Sequence, residues 1–127
     1  MDIVAALFIE DFDMRQGAGG AARLDLGGVH FSTAAPHDFP VELSPHLLVL
    51  VRCRPDEKGL GALEVRFLRG EEQVARNVQP VQVEPGKFAR QLVQAQLAFD
   101  EPGTIEAHCR IDLGPVLVVP LTVMPPA

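Results

Sequence analysis

The stretch Phe99-Asp100-Glu101-Pro102-Gly103-Thr104-Ile105-Glu106-Ala107-His108-Cys109-Arg110-Ile111-Asp112 joins a tight Pro-Gly turn to a run of strict alternation. Ile105, Ala107, Cys109 and Ile111 share one parity, and Thr104, Glu106, His108, Arg110 and Asp112 share the other. A period of two with one apolar side marks a strand with one face in a core and one in water. A second apolar run, residues 116–123, follows after only Leu113-Gly114-Pro115. The two runs therefore read as an antiparallel hairpin that closes a β-sandwich.

Outward from this hairpin the chain reads as short strands throughout. Eleven Gly and eleven Pro in 127 residues break any long helical pattern. Residues 2–9 form a first apolar strand, ended by the acidic Glu10-Asp11-Phe12-Asp13, and Gly17 to Gly20 form a hairpin tip. Residues 23–31 form a second strand, in which Gly27-Gly28 marks a bend. Pro36, Pro40 and Pro45 hold residues 33–45 in an extended loop. Residues 47–54, apolar on both parities over Leu47 to Val51, form a central strand; the strand between the turns Pro55 to Gly59 and Arg69 to Glu72 puts Leu63, Val65 and Phe67 inward. Residues 73–83 contain Pro80 and so belong at a sheet edge. Residues 87–100 fit helical and strand spacing alike, and their strand neighbours favour a strand. The expectation is one all-β domain over residues 1–127, an antiparallel sandwich of about seven to nine strands.

Composition narrows the partners. A net charge of −6, without a cluster of Lys and Arg, repels phosphate backbones, so nucleic acid is not expected. Trp and Tyr are absent, which removes the usual stacking platforms. The apolar N-terminal run begins with an acid and is too short to span a bilayer; a cytoplasmic location is expected, with Cys53 and Cys109 reduced.

No constellation of reactive residues emerges. The hydroxyls Ser32, Thr33, Ser44, Thr104 and Thr122 include no nucleophile elbow, and His108 and Cys109, as strand neighbours, point to opposite faces. His30, His37, His46 and His108 lack paired ligand spacing, and the Gly17 to Gly20 stretch is not followed by the Lys-Ser/Thr of a phosphate loop. No catalytic residue, metal ligand or cofactor is expected. One binding set stands out: with the strand order above, Glu10, Asp11, Asp13, Asp56, Glu57 and Asp112 would gather at one end of the sandwich and attract a cation, a small molecule or a basic surface.

Taken together the runs resemble an immunoglobulin-like sandwich, with Cys53 and Cys109 on strands B and F and Phe67 where that family keeps its core tryptophan. Ile105 stands at the place of the tyrosine corner, so the resemblance is distant. The chain also resembles a group of small uncharacterised bacterial β-sandwich proteins through Asp11, Gly27, Gly28, Pro36, Pro40, Pro102, Gly103 and Thr104. These are turn residues, which imply backbone shape and no activity.

The leading functional expectation is a non-catalytic protein interaction or scaffolding module; the alternative is a small-molecule or cation binder using the acidic end. An enzyme would need groups converging from several loops. Hydrophobic residues make up 47% of the chain, and Val4, Phe8, Leu48 and Leu50 fall on the second apolar side of their strands. Either a second copy covers that side, giving a homodimer, or residues 10–22 or 33–45 fold back over it.

Overall fold

The computed structural model describes residues 1–127 and contains eleven strands: β1 (Asp2–Gln16), β2 (Ala22–Val29), β3 (Ser32–Ala34), β4 (Val41–Leu43), β5 (His46–Arg52), β6 (Leu60–Arg69), β7 (Glu72–Gln82), β8 (Phe88–Gln94), β9 (Leu97–Phe99), β10 (Gly103–Ile111) and β11 (Leu117–Met124). The one helical turn is the 3-10 turn Ala18–Gly20. No helix is long and apolar enough to cross a membrane.

The strands form a sheet in the order β2-β1-β5-β8, a sheet in the order β3-β11-β10-β6-β7, and the small pair β4-β9. All pairs are antiparallel except β3 with β11. The count exceeds the expected seven to nine for local reasons. The Pro-rich loop contributes β3 and β4, and Ala95-Gln96 splits the ambiguous stretch into β8 and β9. Pro80 sits in β7, an edge strand, as its missing N–H requires. Side chains close this flank: Gln79 Nε2 donates to the Leu92 carbonyl at 3.0 Å, and Gln91 Nε2 donates to Gln79 Oε1 at 3.0 Å.

The two larger sheets face each other across one core. Leu47, Val49 and Val51 of β5, with Phe8 of β1 and Val93 of β8, meet Leu63, Val65 and Phe67 of β6 and Ile105, Ala107 and Cys109 of β10. Burying each large apolar side chain contributes roughly 1.5–3 kcal/mol. Cys53 and Cys109 are both buried and free.

β1 departs from expectation twice. Its register shifts between Ile3 and Ala5, so a bulge at Val4 reverses the parity: Ala6 and Phe8 enter the core, while Ala5 and Leu7 face outward opposite Leu50 and Leu48. The strand also does not stop at Glu10. It runs on to Gln16, paired with β2 from Ile9↔Val29 to Gln16↔Ala22, and this hairpin is an arm beyond the sheet.

Candidate functional site

Two period-two runs build the arm. Phe12 and Met14 of β1 lie opposite Leu26 and Leu24 of β2, giving one apolar side. The other side carries Asp13 and Arg15 opposite Asp25 and Arg23, and ion pairs tie the four together: Arg15–Asp13 at 2.9 Å and Arg23–Asp25 at 2.9 Å along each strand, and Arg15–Asp25 at 3.1 Å diagonally between them. An amphipathic hairpin has to turn its apolar side to something.

That something is the outer face of the β1-β5-β8 sheet. Ala5 pairs with Leu50, and nine residues of straight strand at about 3.3 Å each would carry Met14 some 30 Å away. Yet Met14 and Leu50 line the same hollow, so the arm curls back over the sheet. Phe12 anchors it, its ring edge-on to His46 with centroids 6.3 Å apart. The curl begins at Gly27-Gly28. Gly28 has φ +60°, and a Cβ there would lie 2.8 Å from Glu10 Cβ; a Cβ on Gly27 would lie 2.2 Å from Asp11 Oδ1. Only glycine permits both the left-handed turn and the close approach.

The arm does not close completely on the sheet. Between them lies an open hollow of about 580 Å³, within the range of small-molecule sites. Met14, Leu24, Leu50 and Phe88 supply its apolar surface, and Lys87 and Arg90 its charge; Arg23 borders it through the arm strand while its guanidinium is held by Asp25 on the arm's other side. No carboxylate lines it, although the chain carries 17 acids against 11 bases. Lys87 pairs with Glu84 at 2.7 Å, and each shifts the other toward its charged form, Lys87 upward and Glu84 downward. Arg90 has neither an ion pair nor a hydrogen bond to its guanidinium, which leaves five donors free.

Of the six acidic residues expected to converge, Asp56, Glu57 and Asp112 lie at one end, where Glu57 binds the Met1 amino group and both Met1 and Asp112 close on Gly61, and the other three do not join them. Glu10, Asp11 and Asp13 belong to the arm because β1 continues through them as strand. Glu57 accepts from the Met1 amino group and, at 3.1 Å, from the Arg54 N–H; the amino group foremost holds its carboxyl below the usual range. Asp112 accepts from the Ala62 N–H at 3.0 Å, and Asp56 is an exposed turn residue. No three His, Cys, Asp or Glu side chains come together as a metal ion would require. The expected self-association set is also divided. Phe8 is in the core, Leu48 is 1% exposed beneath the arm, Leu50 is half-buried in the hollow and only Val4 is open, at 58%.

His108 and Cys109 take opposite faces. His108 Nε2 lies 3.3 Å from Glu106 Oε1 on the outside, while burial pushes the Cys109 thiol up to about 12. A thiol so placed is an inert core group. The hollow itself was missed from sequence, although a signal existed: alternation persists through Asp11-Phe12-Asp13-Met14-Arg15 and returns in Arg23-Leu24-Asp25-Leu26, on either side of the glycine tip. A comparison with protein-family models finds no match for the chain, and neither does one with curated proteins.

Proposed function

We propose that this chain is a non-catalytic binding module whose binding element is the hollow beneath the β1–β2 arm. One observation carries the reading: an apolar sheet face is roofed by an amphipathic hairpin, and a space of ligand size is left between them. Apolar surface held open in this way gains from any apolar group that enters it. An immunoglobulin-like sandwich, in the proposed assignment, is the frame. It is supported by the spatial order β1-β5-β8 against β11-β10-β6, which matches A-B-E against G-F-C, and by buried Cys109 on β10 with buried Cys53 just after β5.

The test is uptake of the neutral fluorophore phenylnaphthylamine. The wild-type chain should enhance its emission saturably, and Phe88→Asp should weaken that uptake. Phe88 is 68% exposed, so the variant is expected to fold. Failure of the wild-type chain to take up the dye, or equal uptake by Phe88→Asp, would overturn the reading.

A second reading, a homodimer, is favoured by the free edge of β2, which pairs with β1 on one side only. An unpaired edge of this kind is a template for a second copy. Sedimentation equilibrium separates a mass of 13.8 kDa from its double.

A further inference from the structure

The charge around the hollow says more than its size. Resting on the proposed binding role, we infer that the occupant is a single-chain amphipathic carboxylate, its hydrocarbon against Met14, Leu24, Leu50 and Phe88 and its head group at Arg90. Lys87 and Arg90 and no acid line this space from the sheet side, on a chain of net charge −6. Lys87 has an exposed acidic partner, Glu84, and Arg23 is tied to the half-buried Asp25 on the arm's other side, whereas the Arg90 guanidinium is unengaged.

The sheet register places a second free guanidinium beside it. Leu50 pairs with Arg90 and Arg52 with Phe88, so Arg52 and Arg90 are diagonal neighbours on the outer face. Such diagonals stand about 7–8 Å apart, within reach of long side chains. Asp2 is the cross-strand neighbour of Arg52, but its carboxylate is engaged by Arg54 Nε at 3.1 Å. Two like charges without a counter-ion, beside an apolar hollow, are complementary to an anion on an apolar chain; a planar guanidinium receives a carboxylate through two parallel hydrogen bonds.

The occupant is a small molecule rather than an added peptide strand. The outer edge of β8 is engaged with β7, since Gln79 holds the Leu92 carbonyl and Gln91 reaches Gln79 and the Pro80 carbonyl. Strand addition at that edge would have to break this bridge. The hollow also lies between arm and sheet and is lined by side chains of both, Met14 and Leu24 from one and Leu50 and Phe88 from the other.

The test displaces bound phenylnaphthylamine with decanoate, decanol and decyltrimethylammonium, each below its micelle concentration. Decanoate should displace the dye at about one tenth of the concentration that decanol requires, and decyltrimethylammonium should be the weakest. Arg90→Gln should reduce the preference for decanoate over decanol about tenfold, a ratio that a general loss of packing would leave unchanged. Equal displacement by all three compounds, or an unaltered preference in Arg90→Gln, would overturn the carboxylate while leaving the hollow a binding site. Displacement of the dye by anionic vesicles but not by decanoate would assign the cations to a membrane surface and overturn it as well. Absence of dye uptake at the outset is the separate failure of the binding role itself.

Discussion

The outer face of the β11-β10-β6-β7 sheet and that of the β1-β5-β8 sheet meet the same solvent with different chemistry. On the first, Glu64 holds Arg76 at 2.8 Å and Arg110 at 3.2 Å, Arg66 donates to Gln73 at 2.8 Å, and Thr104 meets Thr122 at 2.8 Å. On the second, Leu7, Leu48 and Leu92 stand in one row across three strands, with Ala5, Leu50 and Arg90 in the next. The charged face needs no cover. The apolar face acquires one from twenty residues of arm that pair with nothing else in the sheet. A strand that alternates thus declares its own environment, whereas a strand apolar on both parities declares only that something else lies over it.

Truncations of the two kinds of buried residue should show the difference first. Phe67 is 1% exposed at the centre of the shared core, and Phe67→Ala should cost about 3–5 kcal/mol in urea unfolding. Leu48 is equally buried, but by the arm, which can settle into a vacated space. Leu48→Ala should therefore fall near the lower limit for such a change, about 2 kcal/mol. If the two costs were equal, the arm would be as rigid as the core, and the contrast between the faces would fail.

Alkaline stability is the next largest effect, and it reads the depth of the core beneath the charged face. Burial pushes the Cys109 thiol up to about 12 in the folded chain, from an ordinary value of 9.0. The unfolded chain therefore releases its proton first, and between these values it binds fewer protons than the native state. Stability is fully present below pH 9.0 and declines as pH rises toward 12, by at most about 1.4 kcal/mol per pH unit. Tyr is absent, so no phenol titration overlaps this limb. Cys109→Ala should flatten it, and an unchanged slope of urea midpoint against pH would place the thiol nearer water. Two free thiols per chain should be counted in the unfolded, unreduced protein.

Gly28→Val tests the cover itself. Valine at φ +60° with its Cβ against Glu10 should cost about 1–3 kcal/mol. The loss should be local: amide exchange should accelerate across residues 10–29 and at Leu48, while residues 103–111 keep their protection. Uniform acceleration would mean that arm and core open as one unit.

These contrasts also explain what was legible in the sequence. The face of β10, the inward triad Leu63, Val65 and Phe67, the edge position of the Pro80 strand and the Gly27-Gly28 bend each follow from a residue that tolerates one environment. The parity of β1 was hidden because Leu7 and Phe8 are equally apolar and one bulged residue at Val4 decides between them. The acidic gathering lost Glu10, Asp11 and Asp13 for a related reason. Asp11 and Asp13 read as turn residues when taken singly, but as one side of a strand once Phe12 and Met14 are counted with them. The hollow was hidden because its two walls are far apart in the chain, and Arg90 means little until it is seen to share one space with Met14 and Leu24 of the arm.

The smallest expected effect lies on the charged face. Arg76 foremost, then Arg110, holds the Glu64 carboxylate below its ordinary value of 4.5. A depressed carboxylate contributes stability above the unfolded value, and that contribution is lost as pH falls below 4.5 through the folded one. The ladder is open to water and salt, which screen it, so Glu64→Gln should lower the urea midpoint only slightly at neutral pH. The gap between variant and wild type should narrow in high salt and close on acidification, because protonated Glu64 resembles the glutamine. A large gap that persisted in acid would mean that Glu64 acts by packing against β7 and β10 rather than by charge. The outer face of this sheet would then depend on side-chain cover much as the other face does on the arm.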